Sequence, residues 1–195
     1  MTYIGIDQSI NSTGICINEE QYMILKPKYR QKEGKRLLTK REEAAEREIS
    51  TLEYKFYEAE DLSVYAEHTE WREWWKSWNL ASCADKIAEI VSSIEGDVTV
   101  TMEGLSYGST RASSLCDLAG LSFLIRDRLM HNGRVTLHIT EPSKVKKFAV
   151  GKGNATKELI SDMFLITHPE YKTVPKIDDL ADAFFMCNIG KHINE

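Results

Sequence analysis

The sequence predicts an α/β domain built on a mixed five-stranded sheet with helices on its faces. Two observations lead there. Three short apolar segments near the start, residues 2–7, 13–17 and 22–25, are separated only by turn-length polar stretches, and from residue 70 onward helix-like and strand-like segments alternate. The first pattern predicts an antiparallel meander. The second predicts parallel strands with helical crossovers, so the sheet is mixed.

Each element has its own justification. Tyr3-Ile4-Gly5-Ile6 is a buried strand closed by Asp7, and Thr13 to Ile17 pairs back through the polar turn between them. Asn18-Glu19-Glu20-Gln21 is the next turn, before Tyr22-Met23-Ile24-Leu25. After Pro27, residues 35–60 carry Leu37, Leu38, Ala44, Ala45, Ile49, Leu52 and Phe56 at roughly helical spacing, which predicts a charged helical insertion. A short strand is expected at 62–66. The helix predicted over 70–94 places Trp71, Trp74, Trp75 and Trp78 on one face, where core packing is expected. Strands follow at 98–103 and 134–140. Helices are predicted at 109–131 (Leu115, Leu118, Ala119, Ser122, Phe123 and Met130 along one face), 142–148, 155–166 and 177–189. Without a repeat, low-complexity tract or linker, residues 1–195 read as a single domain with an insertion at about 30–70.

Composition narrows the partners. Hydrophobic residues make up 42% and charged residues 28%, an ordinary globular balance. No apolar run reaches membrane-span length and no secretory signal is read, so an intracellular, cytoplasmic protein is expected, with no membrane partner. Cys16, Cys83, Cys116 and Cys187 lie far apart, all but Cys83 in apolar-rich segments, and read as reduced, mostly buried thiols. The net charge of −5 opposes nucleic-acid binding only on average. Residues 26–41 hold eight bases and one acid, residues 143–157 hold five lysines and no acid, and residues 42–70 hold ten acids and two bases. Two basic patches thus remain for phosphate contact.

The chemistry is in the carboxylates. Asp7 and Glu103 end strands, where ligands gather in α/β sheets, and Asp179 and Asp182 lie three apart on the last helix. That spacing separates them by about 60° and a rise of about 4.5 Å, so both can face one point. Left bare, four converging carboxylates repel one another and are costly to desolvate. Hard oxygen ligands of this kind select Mg²⁺ or Mn²⁺, and two such ions can activate water against phosphorus. Each residue also has a simpler reading. Asp7 can open a polar turn with Ser9, Asn11 and Ser12, Glu103 can be an exposed strand end, and Asp178 or Asp179 can cap a helix. Asp182 is harder to explain in that way, because it interrupts an apolar helix. The five histidines show no ligand spacing and take no role.

Gly5-Ile6-Asp7-Gln8-Ser9 with Ser12-Thr13-Gly14 resembles the first strand and turn of the RuvC-type Holliday junction resolvases. Val100-Thr101-Met102-Glu103-Gly104 resembles the strand that ends on that family's catalytic glutamate. Residues 145–157 resemble its basic helix, glycine loop and following helix start, and Asp179-Leu180-Ala181-Asp182-Ala183 its final Asp-x-x-Asp-Ala. The resemblance covers about residues 2–26 and 71–192. It implies an RNase H-like fold and a homodimeric, structure-selective endonuclease resolving four-way DNA junctions by two-metal-ion hydrolysis. Asp7, Glu103, Asp179 and Asp182 would hold two Mg²⁺ per site, with Mn²⁺ able to substitute. Lys152 would stabilise charge in the transition state, and Lys144, Lys146, Lys147, Lys152 and Lys157 would lie along DNA. For Lys144 and Lys157 taken singly, a solvated surface face explains the charge as well. Tyr107 follows Glu103 near the place of the family's junction-opening aromatic, at a slightly different offset. Leu115, Leu118 and Leu121 fall in the dimerisation region by position, or simply cover the sheet. The long charged insertion resembles viral members, which would place the protein in a host cytoplasm.

Two rival enzyme readings and one binding reading stand beside it. Another RNase H-like nuclease would cut RNA–DNA hybrids or flaps, and a silent member would bind junctions without cutting. The first-strand motif also resembles the phosphate turn of actin-like ATPases and sugar kinases. Those need a second similar domain, and no internal repeat supplies one, so no nucleotide cofactor is expected.

Overall fold

The computed structural model describes residues 1–29, 49–65, 67–105 and 112–194, apart from the side chains of residues 60, 61 and 112–114. Strands β1 (Thr2–Asp7), β2 (Thr13–Ile17) and β3 (Gln21–Lys28) form the predicted meander. Farther along, β5 (Val98–Glu103) lies parallel to β1, and β6 (Val135–Thr140) parallel to β5. The sheet is mixed, as expected, but among the described residues it has six strands, with an additional β4 (Ser50–Lys55), in the order β4-β3-β2-β1-β5-β6.

The additional strand corrects the sequence reading. Residues 50–55, expected to be helical, form β4 (Ser50–Lys55), parallel to β3. Ile49, Leu52 and Phe56 mimic a helical stripe, yet Tyr54 is the residue that decides the segment. It is 2% exposed and donates its hydroxyl to the Ile10 carbonyl at 2.8 Å. An aromatic with a satisfied polar tip in the core outweighs a weak helical period. The rest of the predicted helix lies mostly outside the described residues. The strand expected at 62–66 is instead part of a 3₁₀ turn, Ala59–Tyr65.

Helices α1 (Trp71–Ser92) and α2 (Ala112–Met130) cover one face of the sheet, and α3 (Pro142–Val150), α4 (Lys157–Thr167) and α5 (Ile177–Asn194) cover the other. The first face is aliphatic. Ile4, Ile6, Ile15, Val100 and Met102 meet Ile87 and Val91 of α1 and Leu121, Ile125 and Leu129 of α2. One expectation for α2 fails. The buried stripe runs through Leu121, Ser122, Ile125 and Leu129, leaving Phe123 and Met130 exposed, because the helix is apolar on more than one side. Leu121 covers the sheet, the second of its two readings.

The indoles of α1 are on one side as predicted, but they are not core. Trp74 and Trp78 are 36% and 40% exposed and meet Tyr65 edge-on, while the Trp75 indole N–H donates to the Tyr57 carbonyl. The first half of α1 faces the short 3₁₀ turn rather than the sheet's aliphatic centre, so only part of each ring is covered. Among the cysteines, Cys16, Cys83 and Cys187 are buried and Cys116 is exposed, so the local apolar context misjudged Cys83 and Cys116. Among the described residues no helix is long and apolar enough to cross a membrane.

On the opposite face, the strip beneath α5 is made of small residues. A Cβ at Gly5 would overlap the backbone of Ala183 and Cys187, one at Gly14 the backbone of Asp179, and one at Gly190 the Thr101 hydroxyl. α5 therefore rests almost directly on β1, β2 and β5. Such close approach needs the absence of side chains at those points.

Candidate functional site

β1 and β5 run parallel with Ile6 beside Met102, so Asp7 and Glu103 emerge at the same end of adjacent strands. α5 begins at that end. Its first two turns carry Asp179 and Asp182, and Gly14, which pairs with Asp7 across β1–β2, is the residue that lets the Asp179 backbone close in. Three separate elements thus deliver the four carboxylates predicted from sequence to one region.

Electrostatics register the gathering. Burial and then the charges of Asp182, Glu103 and Asp179 hold the Asp7 carboxyl well above the usual range. Burial, reinforced by Asp182, pushes Glu103 up to about 7. Burial also pushes Asp182 to about 6, against the pull of Lys157 and with help from Asp178 and Asp179. Asp179 is raised by burial, while a hydrogen bond from Ser12 works in the other direction. That bond, Ser12 Oγ donating to Asp179 Oδ2, measures 2.5 Å, and both residues are buried. Carboxyls shifted upward by burial and by one another mark a place where negative charge exceeds positive.

The simpler readings can now be placed. The turn after β1 is closed by Thr13, whose hydroxyl accepts from the Ser9 N–H at 3.2 Å and donates to the Ser9 carbonyl at 2.7 Å, so Asp7 is not its cap. Neither Asp178 nor Asp179 caps α5. The Lys176 carbonyl accepts from the N–H groups of Asp179 and Leu180, with Lys176 at a φ of 65°. Asp178 turns to Lys157, 3.3 Å away, while Asp179 turns to Ser12.

The lysines divide. Lys157, for which a solvated face was the accepted reading, is indeed 60% exposed, yet it also lies near enough to the carboxylates to act on them. Although burial opposes it, Asp182, Asp7 and Asp178 raise the pKa of its ammonium. Lys146 is half-buried and stabilises the charged forms of Glu103 and Asp182. Lys144 is exposed beside Glu141 at 3.5 Å, and Lys147 is exposed on α3. Lys152 is exposed in the turn that follows Gly151, the left-handed residue ending α3. Tyr107 lies outside the described residues.

Ser12 was visible in the sequence only as part of a motif. Gln8, 7% exposed, was not singled out at all. Its side-chain amide donates to the Glu103 carbonyl at 2.9 Å and ties the end of β1 to the end of β5. A polar residue straight after a strand-end aspartate was the available signal.

The donor set suits a hard divalent cation: oxygen ligands only, carrying surplus negative charge in a partly desolvated place. As the side chains stand, no three His, Cys, Asp or Glu residues among those described are close enough together to hold an ion. The chemistry fits, and an ion would have to draw the carboxylates inward.

The sheet order and the helices on its two faces give an α/β fold like that of RuvC. Two solved structures show the likeness in particular. One is the RuvC structure of Thermus thermophilus, with a TM-score of 0.51 and 15% identity, covering 96% of this chain and 91% of that one. The other is T. thermophilus RuvC in complex with a Holliday junction substrate, with a TM-score of 0.54 and 13% identity, covering 96% and 90%. At such identities the likeness is one of fold. No family model matches the chain, and comparison with curated proteins finds no match.

Proposed function

We propose that this protein is a structure-selective endonuclease of the RuvC type that hydrolyses phosphodiester bonds in branched DNA, with four-way junctions as its substrate. The observation that carries the reading is the delivery of Asp7, Glu103, Asp179 and Asp182 to one end of the sheet, where burial and mutual repulsion raise their pKa values. The fold it shares with a RuvC bound to a Holliday junction supports the choice of substrate. The four carboxylates would hold two Mg²⁺, or Mn²⁺ in their place. Bound there, the ions supply activation of water and neutralisation of charge on the phosphate.

The chain's own residues do the rest. Ser12 fixes the orientation of Asp179, and Gln8 fixes the spacing of the two strand ends. Lys157 and Lys146 bring positive charge to the carboxylates, where a phosphate would also approach. Lys144, Lys147 and Lys152, exposed on α3 and the turn that follows it, suit contacts to the DNA backbone that position it without reading sequence. A homodimer would supply the two sites that two symmetric nicks require. Residues 1–195 act as one domain in this reading.

Cleavage of a synthetic four-way junction, compared with a flap, a linear duplex and an RNA–DNA hybrid in Mg²⁺, tests it. Preferential cutting of the junction is expected. An uncut junction beside an efficiently cut hybrid would replace this reading with that of a hybrid-specific nuclease. Tight binding with no cutting of any substrate would favour a junction-binding protein, in line with carboxylates that stand apart in this structure.

A further inference from the structure

β4, the strand that the helical pattern concealed, creates a cavity of about 180 Å³ beside the carboxylate site. Ile24 of β3 and Thr51 of β4 are direct partners in the parallel ladder, and both line it. Ile24, Ile49 and Val174 give it apolar walls. Asn11 and Thr51 are polar residues of the lining, and Lys26 and Lys176 are its basic ones. Ser12 belongs to both places, lining the cavity and donating to Asp179.

This combination is selective. Apolar walls with a few polar groups suit a flat heterocycle with apolar faces and polar edges. An amide can both donate to and accept from such an edge. The volume is well below the roughly 300–1,000 Å³ of pockets that enclose whole ligands, so one ring system fits and a whole nucleoside does not. A charged group attached to that ring would remain near the two lysines. Lys176 also holds its place at a cost. Its φ of 65° lies in the left-handed region that favours glycine, and strain of this kind collects at ligand sites.

We infer that the cavity between β3, β4 and the start of α5 binds a single unpaired nucleobase, with its phosphate on Lys26 and Lys176. The inference rests on the nuclease reading above and deepens it. A base withdrawn from its stack beside Asp179 would fix which phosphate lies at the carboxylates, so the cavity would set the cleavage position.

Calorimetric titration of the full chain with deoxynucleoside monophosphates, with deoxyribose 5-phosphate and with inorganic phosphate tests it without any need for cleavage. The monophosphates are expected to bind at least about tenfold more tightly than either base-free probe, because only they fill the apolar walls. Thr51→Phe, which fills the cavity, should remove that advantage, and Asn11→Ala, at an exposed position, should weaken it by about fivefold. Lys176→Gly should weaken nucleotide binding while raising Tm, a pairing that a purely structural lysine would not produce. Equal affinity for monophosphates and bare phosphate would overturn the inference, as would undiminished binding by both Thr51→Phe and Asn11→Ala. A protein that cuts junctions but shows no preference for nucleotides loses this inference alone. One that binds nucleotides yet cuts nothing keeps the pocket and loses the nuclease.

Discussion

The two faces of the sheet are packed by different means. Toward α1 and α2 the strands present Ile4, Ile6, Ile15, Val100 and Met102, and the helices stay a side chain's length away. Toward α5 they present Gly5, Gly14, Thr99 and Thr101, and the helix backbone comes down onto the strands. Each face buries its own apolar cluster, so both supply hydrophobic stabilisation. The glycine face supplies position, because a backbone resting on a backbone fixes where Asp179 and Asp182 stand relative to Asp7 and Glu103. Stability and site geometry are therefore separable by mutation.

The largest separation is expected from pairing one substitution on each face. Gly5→Ala forces α5 away from β1, and displacement of a reacting group by about 1 Å can lower catalysis about 100-fold. Ile87→Ala, on the far face and fully buried, should cost about 2–5 kcal/mol of unfolding free energy while leaving the rate per folded molecule unchanged. Urea titrations alongside junction cleavage measure both. If Gly5→Ala keeps full activity, close packing does not set the site.

A smaller effect is expected from pH. Asp182 and Glu103 have folded-state pKa values raised to about 6 and about 7, so the folded protein holds their protons more tightly than the unfolded chain. Without divalent ions, stability should be highest near pH 4 with respect to these groups. It should fall as pH rises to about 7 and level off above. Asp182→Asn should then stabilise the metal-free protein at pH 7 by on the order of 2 kcal/mol, with less gain near pH 4. Adding Mg²⁺ at pH 7 should raise the wild-type Tm more than that of the variant. A metal-free Tm indifferent to Asp182→Asn at pH 7 would mean that the carboxylates do not strain the fold.

The smallest effect belongs to Ser12→Ala. The net worth of one hydrogen bond is about 0.5–1.5 kcal/mol, which predicts a cleavage rate lower by about two- to tenfold with DNA affinity retained. An unchanged rate would show that Asp179 needs no help to hold its orientation.

What the sequence displayed and what it concealed follow the same division. Carboxylates at strand ends and an aspartate inside an apolar helix are local departures from ordinary patterning, so the gathering of Asp7, Glu103 and Asp182 at one end of the sheet could be expected from their combination, although Asp7 and Glu103 each had a simpler reading taken alone. Contacts that depend on tertiary neighbours were not. Lys157 looks like any surface lysine until α4 is set beside α5, where it reaches Asp178. The indoles of α1 share a face, as their spacing requires, but nothing local shows that a short 3₁₀ turn covers them only in part. β4 was hidden by coincidence, since Ile49, Leu52 and Phe56 satisfy a helical period while Leu52 and Tyr54 satisfy a strand's. With β4 hidden, so was the cavity that it closes.

Cleavage requires the carboxylates to act together, and single-turnover cleavage of a four-way junction by wild type and Asp182→Asn in Mg²⁺ tests that most directly. Wild type should cut the junction, and the variant should bind it with similar affinity and leave it intact. Cleavage by Asp182→Asn at the wild-type rate would contradict the assignment of the site.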